Sequence, residues 1–154
     1  MGTFHIETTI DRPRGDVFAV IADPTAMPDW YEAVQEVTTT STGPTTTGAT
    51  YVVTRSLPGG KVDNTVEITE YEANRRVTLE SRDGPTPFRY RYTLTSRPDG
   101  ATGITLDGRI SGTGLPAPLG AVDPLATRLF QHGMRRNLAE LRRIIESAPT
   151  PRRE

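Results

Sequence analysis

The feature that most constrains the fold is a run of six segments between residues 34 and 112 in which apolar and polar side chains alternate. Alternation with a period of two places successive side chains on opposite faces, as in a strand with one buried face. Turn-forming residues separate the segments at 42–48, 58–60, 73–75, 83–87 and 98–103. We therefore predict an antiparallel meander with strands at about 34–41, 49–57, 61–71, 76–82, 88–97 and 102–112.

The segment before this run predicts a seventh strand and two short helices. Apolar and polar side chains alternate from Phe4 to Ile10. Pro13 predicts the start of a helix that ends near Asp23, because proline at a first helical turn loses no hydrogen bond. Asp23 followed by Pro24 repeats this signal and predicts a second short helix that reaches about Tyr31.

A long amphipathic helix is predicted at the C-terminal end. Asp123 and Pro124 indicate its start, and Pro149 and Pro151 prevent it from continuing far beyond Ser147. Its apolar face contains Phe130, Met134, Asn137, Leu138, Leu141, Ile144 and Ile145. At 1.5 Å per residue such a helix is about 35 Å long, enough to cross a whole sheet. We predict one α+β domain over residues 1–148, a seven-stranded curved antiparallel sheet around this helix, and a disordered tail over 149–154.

The period of two also assigns the two faces of the sheet. The side chains expected to point inward are Val62, Asn64, Val66, Ile68, Val77, Leu79, Ser81, Phe88, Tyr90, Tyr92, Leu94, Ile104, Leu106 and Ile110. Charged residues at the intervening positions, such as Glu67, Glu80 and Arg91, are expected to face water.

Composition excludes several classes of function. The 18 basic and 19 acidic residues give a formal net charge of −1, which provides no basic field for nucleic acid. The chain contains no cysteine, so disulfides and thiolate catalysis are excluded, and we expect a cytoplasmic protein. No stretch approaches the roughly 20 apolar residues of a membrane span.

The opening of the chain carries a family resemblance. Ile10-Asp11-Arg12-Pro13 leads into Val17-Phe18-Ala19-Val20-Ile21-Ala22-Asp23-Pro24, then Met27-Pro28-Asp29-Trp30 and a strand with Val34 and Val37. This order resembles the START/Bet v 1-like (SRPBCC) superfamily, in its polyketide cyclase/dehydrase and lipid-transport branch. The hairpin from Gly43 to Gly48 and the terminal helix also match, so the resemblance covers residues 3–147 and implies the helix-grip fold.

The resemblance implies a cavity between the concave sheet and the C-terminal helix that holds an apolar molecule such as a lipid, polyketide or sterol. The predicted ligand contacts are Trp30, Asn64, Val66, Ile68, Leu79, Phe88, Tyr90, Tyr92, Leu106, Phe130, Met134 and Asn137. Two interpretations of Trp30 stay open, a residue at the cavity opening and an aromatic plug. Tyr90 and Tyr92 are either orienting groups or packing residues. The Leu115–Gly120 loop is either a mobile gate or a simple connector.

Arg55 is ambiguous, because two registers fit its strand. One turns Tyr51, Val53 and Arg55 inward, where a buried cation would need a partner such as a ligand carboxylate or enolate. The other turns Val52, Thr54 and Ser56 inward. We favour the second register, with Arg55 on the surface.

Catalytic and metal-binding residues do not emerge from the sequence. His5 and His132 are both expected on the surface, and no third ligand with recognisable spacing accompanies them. We predict no metal and no cofactor, and phosphate-binding and hydrolase motifs are missing.

Three functions fit these observations. The first is a monomeric or homodimeric protein that binds a hydrophobic small molecule without changing it. The second is an aromatic polyketide cyclase or dehydratase that acts in the same cavity, where Tyr90, Tyr92, Asn64 and an inward Arg55 would orient a poly-keto chain. The third is a protein-interaction module, which predicts a filled core and an exposed apolar patch.

Overall fold

The computed structural model describes residues 2–57, 59–111 and 123–148. The strands are β1 (Gly2–Ile10), β2 (Val34–Thr39), β3 (Thr50–Leu57), β4 (Gly60–Glu72), β5 (Arg76–Ser81), β6 (Phe88–Ser96) and β7 (Thr102–Ile110). The helices are α1 (Arg14–Ile21), a 3₁₀ turn (Pro24–Ala26), α2 (Met27–Trp30) and α3 (Asp123–Ser147). The predicted α+β helix-grip architecture is confirmed, and the elements agree with the predicted ranges to within a few residues.

The seven strands form one antiparallel sheet in the order β1-β7-β6-β5-β4-β3-β2. Strands β2 to β7 follow one another as the predicted meander, and β1 adds to the edge of β7, with Ile6 opposite Leu106. The register shifts between Val34 and Glu36 and between Ile68 and Glu70. Irregularities of this kind increase bending and twist, so they contribute to the curvature of the sheet.

The core lies between the inner face of the sheet and α3. The strands contribute Ile68, Leu79 and Leu106, and the helix contributes Met134, Leu138 and Leu141, all of them buried. The predicted inward side chains therefore form the core, apart from Val62 and Ser81, which are only half-buried. Burial of each large aliphatic side chain contributes about 1.5–3 kcal/mol, which makes this layer the main stabilising element.

Polar contacts fix the start of the 3₁₀ turn and the end of α3. Asp23 caps the 3₁₀ turn, because its carboxylate accepts a hydrogen bond from the Thr25 N–H at 3.0 Å. The Glu146 carboxylate near the end of α3 accepts from the Asp11 N–H at 2.9 Å, and Arg12 donates to the Glu146 carbonyl. These contacts hold the last turn of α3 against the end of β1.

The outer face of the sheet is charged, as predicted. Arg91 donates to both carboxylate oxygens of Glu70, at 2.9 and 3.1 Å, and Arg82 pairs with Glu67 at 2.8 Å. The Arg91 hydrogen bonds lower the pKa of Glu70 to about 2. The Leu115–Gly120 loop and the predicted tail over 149–154 lie outside the described residues.

Candidate ligand-binding site

The predicted contact residues lie together on the two walls of the interior. Trp30, Asn64, Val66, Ile68, Leu79, Phe88, Tyr90, Tyr92, Leu106, Met134 and Asn137 are buried, and Phe130 is partly buried at the margin of the core. The strand residues form the sheet wall, and Met134 and Asn137 form the helix wall. The side chains of the two walls pack against one another, and their contact with a ligand stays a prediction.

Arg55 is buried, so its predicted position on the surface is wrong. Only 2% of its surface is exposed. The pairing of β3 with β4 places Arg55 opposite Val62 and Val53 opposite Asn64, which turns Tyr51, Val53 and Arg55 to the inner face. The alternation of Val52, Thr54 and Ser56 had indicated the opposite register. The structure reverses that choice because the interior supplies hydrogen-bond acceptors for the guanidinium.

All hydrogen-bond acceptors of Arg55 among the described residues are uncharged. Its Nε and Nη2 donate to the Asn64 Oδ1 at 3.0 and 2.7 Å. Nη2 also donates to the Pro85 carbonyl at 2.9 Å and to the Thr86 hydroxyl. Nη1 makes no hydrogen bond within the described part of the chain. Burial lowers the pKa of Arg55, but a guanidinium remains charged in proteins.

Asn64 and Thr86 support Arg55 rather than face open space. The Asn64 amide donates to the carbonyls of Asp83 and Pro85, at 2.8 and 3.0 Å, while its oxygen receives Arg55. This side chain therefore has no free donor for a ligand. Thr86 is buried with a φ of 49°, an unusual conformation for a β-branched residue, and sequence patterns gave no indication of its role.

Two buried tyrosine hydroxyls lie beside this cluster. The Tyr31 hydroxyl donates to the Tyr90 hydroxyl at 3.3 Å, which leaves the Tyr90 proton free to donate to another acceptor. Phe88 stacks on Tyr90 with ring centroids 4.7 Å apart, and the Arg55 guanidinium lies 5.1 Å from the centre of the Phe88 ring. Burial raises the pKa of both tyrosines, so the hydroxyls are protonated donors at neutral pH.

Tyr31 was missing from the predicted site because it directly follows Trp30. Consecutive residues of a helix do not share a face, but α2 ends at Trp30 and Tyr31 has an extended backbone. Both side chains can therefore be buried. In the sequence, the adjacent aromatic residues Trp30 and Tyr31 were the signal that could have identified Tyr31 as a site residue.

Trp30 and Tyr92 carry polar atoms that have no hydrogen-bond partner in the described structure. The indole Nε1 and the Tyr92 hydroxyl are both buried, and the two rings meet edge to face with centroids 6.4 Å apart. A buried polar group without a partner costs about 1–3 kcal/mol. Such groups often mark a place where a water or ligand binds.

Two surface grooves lie next to this interior. The Arg55 groove has a volume of about 410 Å³ and is lined by Arg55, Tyr31, Leu57, Phe130, Gly133 and Met134, among others. The Trp30 groove has a volume of about 570 Å³ and lies beside Trp30, Arg136 and Arg143. Tyr31, Glu32 and Asn137 border both grooves. The Asn137 side-chain oxygen accepts from the Glu32 N–H at 3.0 Å, so this hydrogen bond lies between the two grooves.

The arrangement is rich in donors and poor in bases. Tyr90, Tyr92, Trp30 and Arg55 all offer N–H or O–H groups. Both histidines are exposed, as predicted, and the Asp107 carboxylate holds His5 by a hydrogen bond of 2.6 Å that raises the His5 pKa. The interior can therefore recognise an oxygen atom of an otherwise apolar molecule.

Metal binding and membrane insertion receive no support from the described residues. Over 2–57, 59–111 and 123–148, no group of three or more His, Asp or Glu side chains is arranged to hold a metal ion. In the same part of the chain, no helix combines the length and the apolar character needed to cross a membrane.

Solved structures similar to this chain share its fold. A protein of Thermus thermophilus is 16% identical, with a TM-score of 0.79 and coverage of 97% of this chain and 100% of the other. A START superfamily protein of Mycobacterium smegmatis is 11% identical, with a TM-score of 0.78 and coverage of 94% and 97%. The Zhui aromatase/cyclase of Streptomyces sp. R1128 is 13% identical, with a TM-score of 0.73 and coverage of 94% of each chain.

The sequence comparisons identify the family. Comparison with curated proteins gives no match. The family model described as polyketide cyclase / dehydrase and lipid transport matches residues 1–146, nearly the whole chain. This agrees with the resemblance carried by the opening strand, the Asp-Pro step and Trp30. The chain therefore belongs to the polyketide cyclase / dehydrase and lipid transport family.

Proposed function

We propose that this protein binds a hydrophobic small molecule between the inner face of the sheet and α3, and that it does so without changing the molecule. The ligand is a lipid, a polyketide or a similar compound with at least one oxygen atom. The family and fold support this class of ligand. The observation that carries the proposal is the pair of buried donors without partners, Trp30 Nε1 and the Tyr92 hydroxyl.

The two donors lie among apolar side chains, where an unpaired polar group is unfavourable. A ligand oxygen would satisfy them and recover the lost hydrogen-bond energy. The neighbouring walls, formed by Leu79, Leu106 and Met134, would contact the apolar part of the ligand. Recognition of an apolar molecule by a few oriented polar groups is typical of small-molecule sites.

The Arg55 groove is the proposed opening to the interior. It lies between α3 and the β2 and β3 strands, and Tyr31 and Met134 both line it and belong to the core. Because the interior side chains pack against one another, binding requires these side chains to move. Met134 suits this role, since methionine is unbranched and adapts to irregular spaces.

A fluorescence titration tests the proposal. Trp30 is the only tryptophan of the chain, so its emission reports on the interior without labelling. The neutral dye N-phenyl-1-naphthylamine is expected to bind saturably at one site and to quench Trp30 by energy transfer. A dye signal that rises without saturation and leaves Trp30 emission unchanged would contradict an interior site.

A matched pair of variants at Gly133 tests the proposed opening. Gly133 lines the Arg55 groove, and a Cβ added there meets no atom within 4 Å. Gly133→Phe is expected to fill the groove and abolish dye binding, whereas Gly133→Ala keeps the groove open and binds like the wild type. Both variants replace a glycine inside a helix, so neither should lose stability. Equal binding by both variants would show that ligands enter elsewhere.

A cyclase or dehydratase is the second candidate function. The Tyr31–Tyr90 hydroxyl pair beside the Arg55 guanidinium favours it, because these donors would stabilise negative charge on a reacting carbonyl oxygen. Tyr90→Phe should then lower turnover of an aromatic poly-keto substrate more than it lowers binding. Equal loss of both would indicate binding alone.

The interaction-module alternative has weaker support. It predicts a filled core, and the buried side chains do form one packed cluster. It also requires an exposed apolar patch, and over the described residues the one large hydrophobic side chain that is exposed is Leu129, at 61%. A single side chain of this kind is normal on a protein surface.

The remaining proposals concern assembly and location. The net charge of −1 provides no attraction for nucleic acid, so the partner is a small molecule. We propose a cytoplasmic protein that is monomeric or homodimeric, and size-exclusion chromatography with light scattering distinguishes the two states.

A further inference from the structure

We infer that the ligand of this protein carries a carboxylate, and that Nη1 of Arg55 binds it at the floor of the Arg55 groove. This inference rests on the proposed function and names the chemical class of the ligand. It predicts an apolar molecule with one singly charged acidic end.

The Arg55 guanidinium has no counter-charge among its described hydrogen-bond partners. Arg55 is almost completely buried, and its hydrogen-bond acceptors in the described residues are the neutral oxygens of Asn64, Pro85 and Thr86. A buried cation is normally paired with an anion, because neutral acceptors recover only part of its lost hydration. Neutral acceptors and aromatic rings surround this cation, and no described carboxylate forms an ion pair with it.

One nitrogen of the Arg55 guanidinium is available to a ligand. Nε and Nη2 are used by the protein, and Nη1 makes no hydrogen bond to the described residues. Arg55 lines the groove of about 410 Å³, where a ligand can approach it. The Tyr90 hydroxyl, whose proton is not used by Tyr31, provides a second donor in the same cluster.

The charges around the groove favour a ligand with a single negative charge. Among the described residues, Arg55 is the one cationic residue that lines this groove, and Glu32 on the rim adds a negative charge, partly balanced by Arg136 at 3.5 Å. One cation near an acidic rim fits a monoanion better than a doubly charged phosphate. A carboxylate also matches the planar geometry of a guanidinium.

The other side chains of the groove favour a ligand with an apolar tail. Leu57, Phe130 and Met134 line the groove, and Leu129 lies at its margin with most of its surface exposed. These side chains offer an apolar surface next to the charged floor. An amphiphile with an apolar tail and a terminal carboxylate satisfies both regions.

The experiment compares two ligands that differ only in the end group. Decanoic acid and 1-decanol are titrated into the wild-type protein at neutral pH, below the concentrations at which either self-associates, with displacement of the neutral dye as the readout. We expect decanoate to bind at least about tenfold more tightly than the alcohol, the factor given by about 1.4 kcal/mol. This comparison requires no variant, so it stands even if changes at Arg55 prevent folding.

Variants of Arg55 then assign the preference to this side chain. Arg55→Gln is expected to lose the preference for decanoate and to keep binding decanol. Arg55→Lys keeps a positive charge but lacks the planar guanidinium that donates to Asn64 and Thr86. It should therefore retain only part of the preference for decanoate. Circular dichroism establishes that each variant is folded.

The outcomes separate the two proposals. Equal binding of acid and alcohol by the wild type, or a preference for decanoate that survives in folded Arg55→Gln, would overturn the carboxylate site and leave the proposed function intact. If neither compound displaces the dye and the dye itself fails to bind, the proposed function falls, and the carboxylate site falls with it.

Discussion

Replacement of Tyr92 by phenylalanine should stabilise the ligand-free protein. The Tyr92 hydroxyl is buried and has no hydrogen-bond partner in the described structure, and burial raises the pKa of Tyr92 far above its ordinary value. Tyr92→Phe removes this hydroxyl and keeps the ring, including its edge-to-face contact with Trp30. The change therefore relieves an unfavourable group without creating a substantial cavity.

The magnitude follows from the cost of leaving a polar group unpaired. That cost is about 1–3 kcal/mol, and the small space left by the lost oxygen offsets part of the gain. We expect a net gain of about 1 kcal/mol in the free energy of unfolding, which raises the midpoint of thermal unfolding by about 2–4 °C for a chain of this size. Ligand affinity should fall in the same variant, because the ligand loses a donor.

Tyr90→Phe is the matched control. It removes a hydroxyl that accepts from Tyr31 at 3.3 Å, so it leaves the Tyr31 donor unpaired and should cost about 1 kcal/mol. Urea unfolding of the wild type and both variants, followed by circular dichroism, measures the two changes. A loss of about 1 kcal/mol or more in Tyr92→Phe would refute the reasoning, because it would mean that the hydroxyl is satisfied in the folded protein.

Two further predictions concern stability away from the site. Glu70→Gln should cost about 1 kcal/mol at pH 7, after allowance for solvent screening of the partly exposed pair with Arg91. The pKa of Glu70 falls from 4.5 to about 2 on folding, so this contribution is present above pH 4.5 and is lost as the pH falls toward 2. Urea midpoints of the wild type and Glu70→Gln across this range measure it. A difference between the two midpoints that does not change with pH would contradict it. Gly108→Ala should destabilise the protein by about 1–3 kcal/mol, because the added Cβ would lie 2.3 Å from the Phe4 ring. Thermal unfolding tests this, and an unchanged midpoint would show that the ring moves aside at little cost.

The architecture was predictable because strands such as β1, β4 and β6 bury one face and alternate accordingly. The alternation at Phe88, Tyr90 and Tyr92 allows only one assignment of faces, and the apolar stripe of α3 requires a sheet to cover it. Proline also marked the helix boundaries, because it cannot donate the hydrogen bonds of a helix interior. These are local signals, and they are readable without knowledge of distant contacts.

The polar cluster was less predictable because it depends on distant contacts. The inward position of Arg55 is favoured by acceptors at Asn64 and Pro85, which are 9 and 30 residues away along the chain. The local pattern of β3 permits both registers, and the usual preference of arginine for water pointed to the wrong one. Thr86 adopts its unusual backbone conformation within a turn, where no periodicity applies.

Native mass spectrometry of protein purified from its own host tests the central claim most directly. We predict a complex of one chain with one hydrophobic molecule. Solvent extraction should release this molecule, and its mass identifies its chemical class. A mass equal to that of the chain alone, together with no saturable binding of neutral apolar dyes or decanoic acid, would contradict a ligand-binding interior.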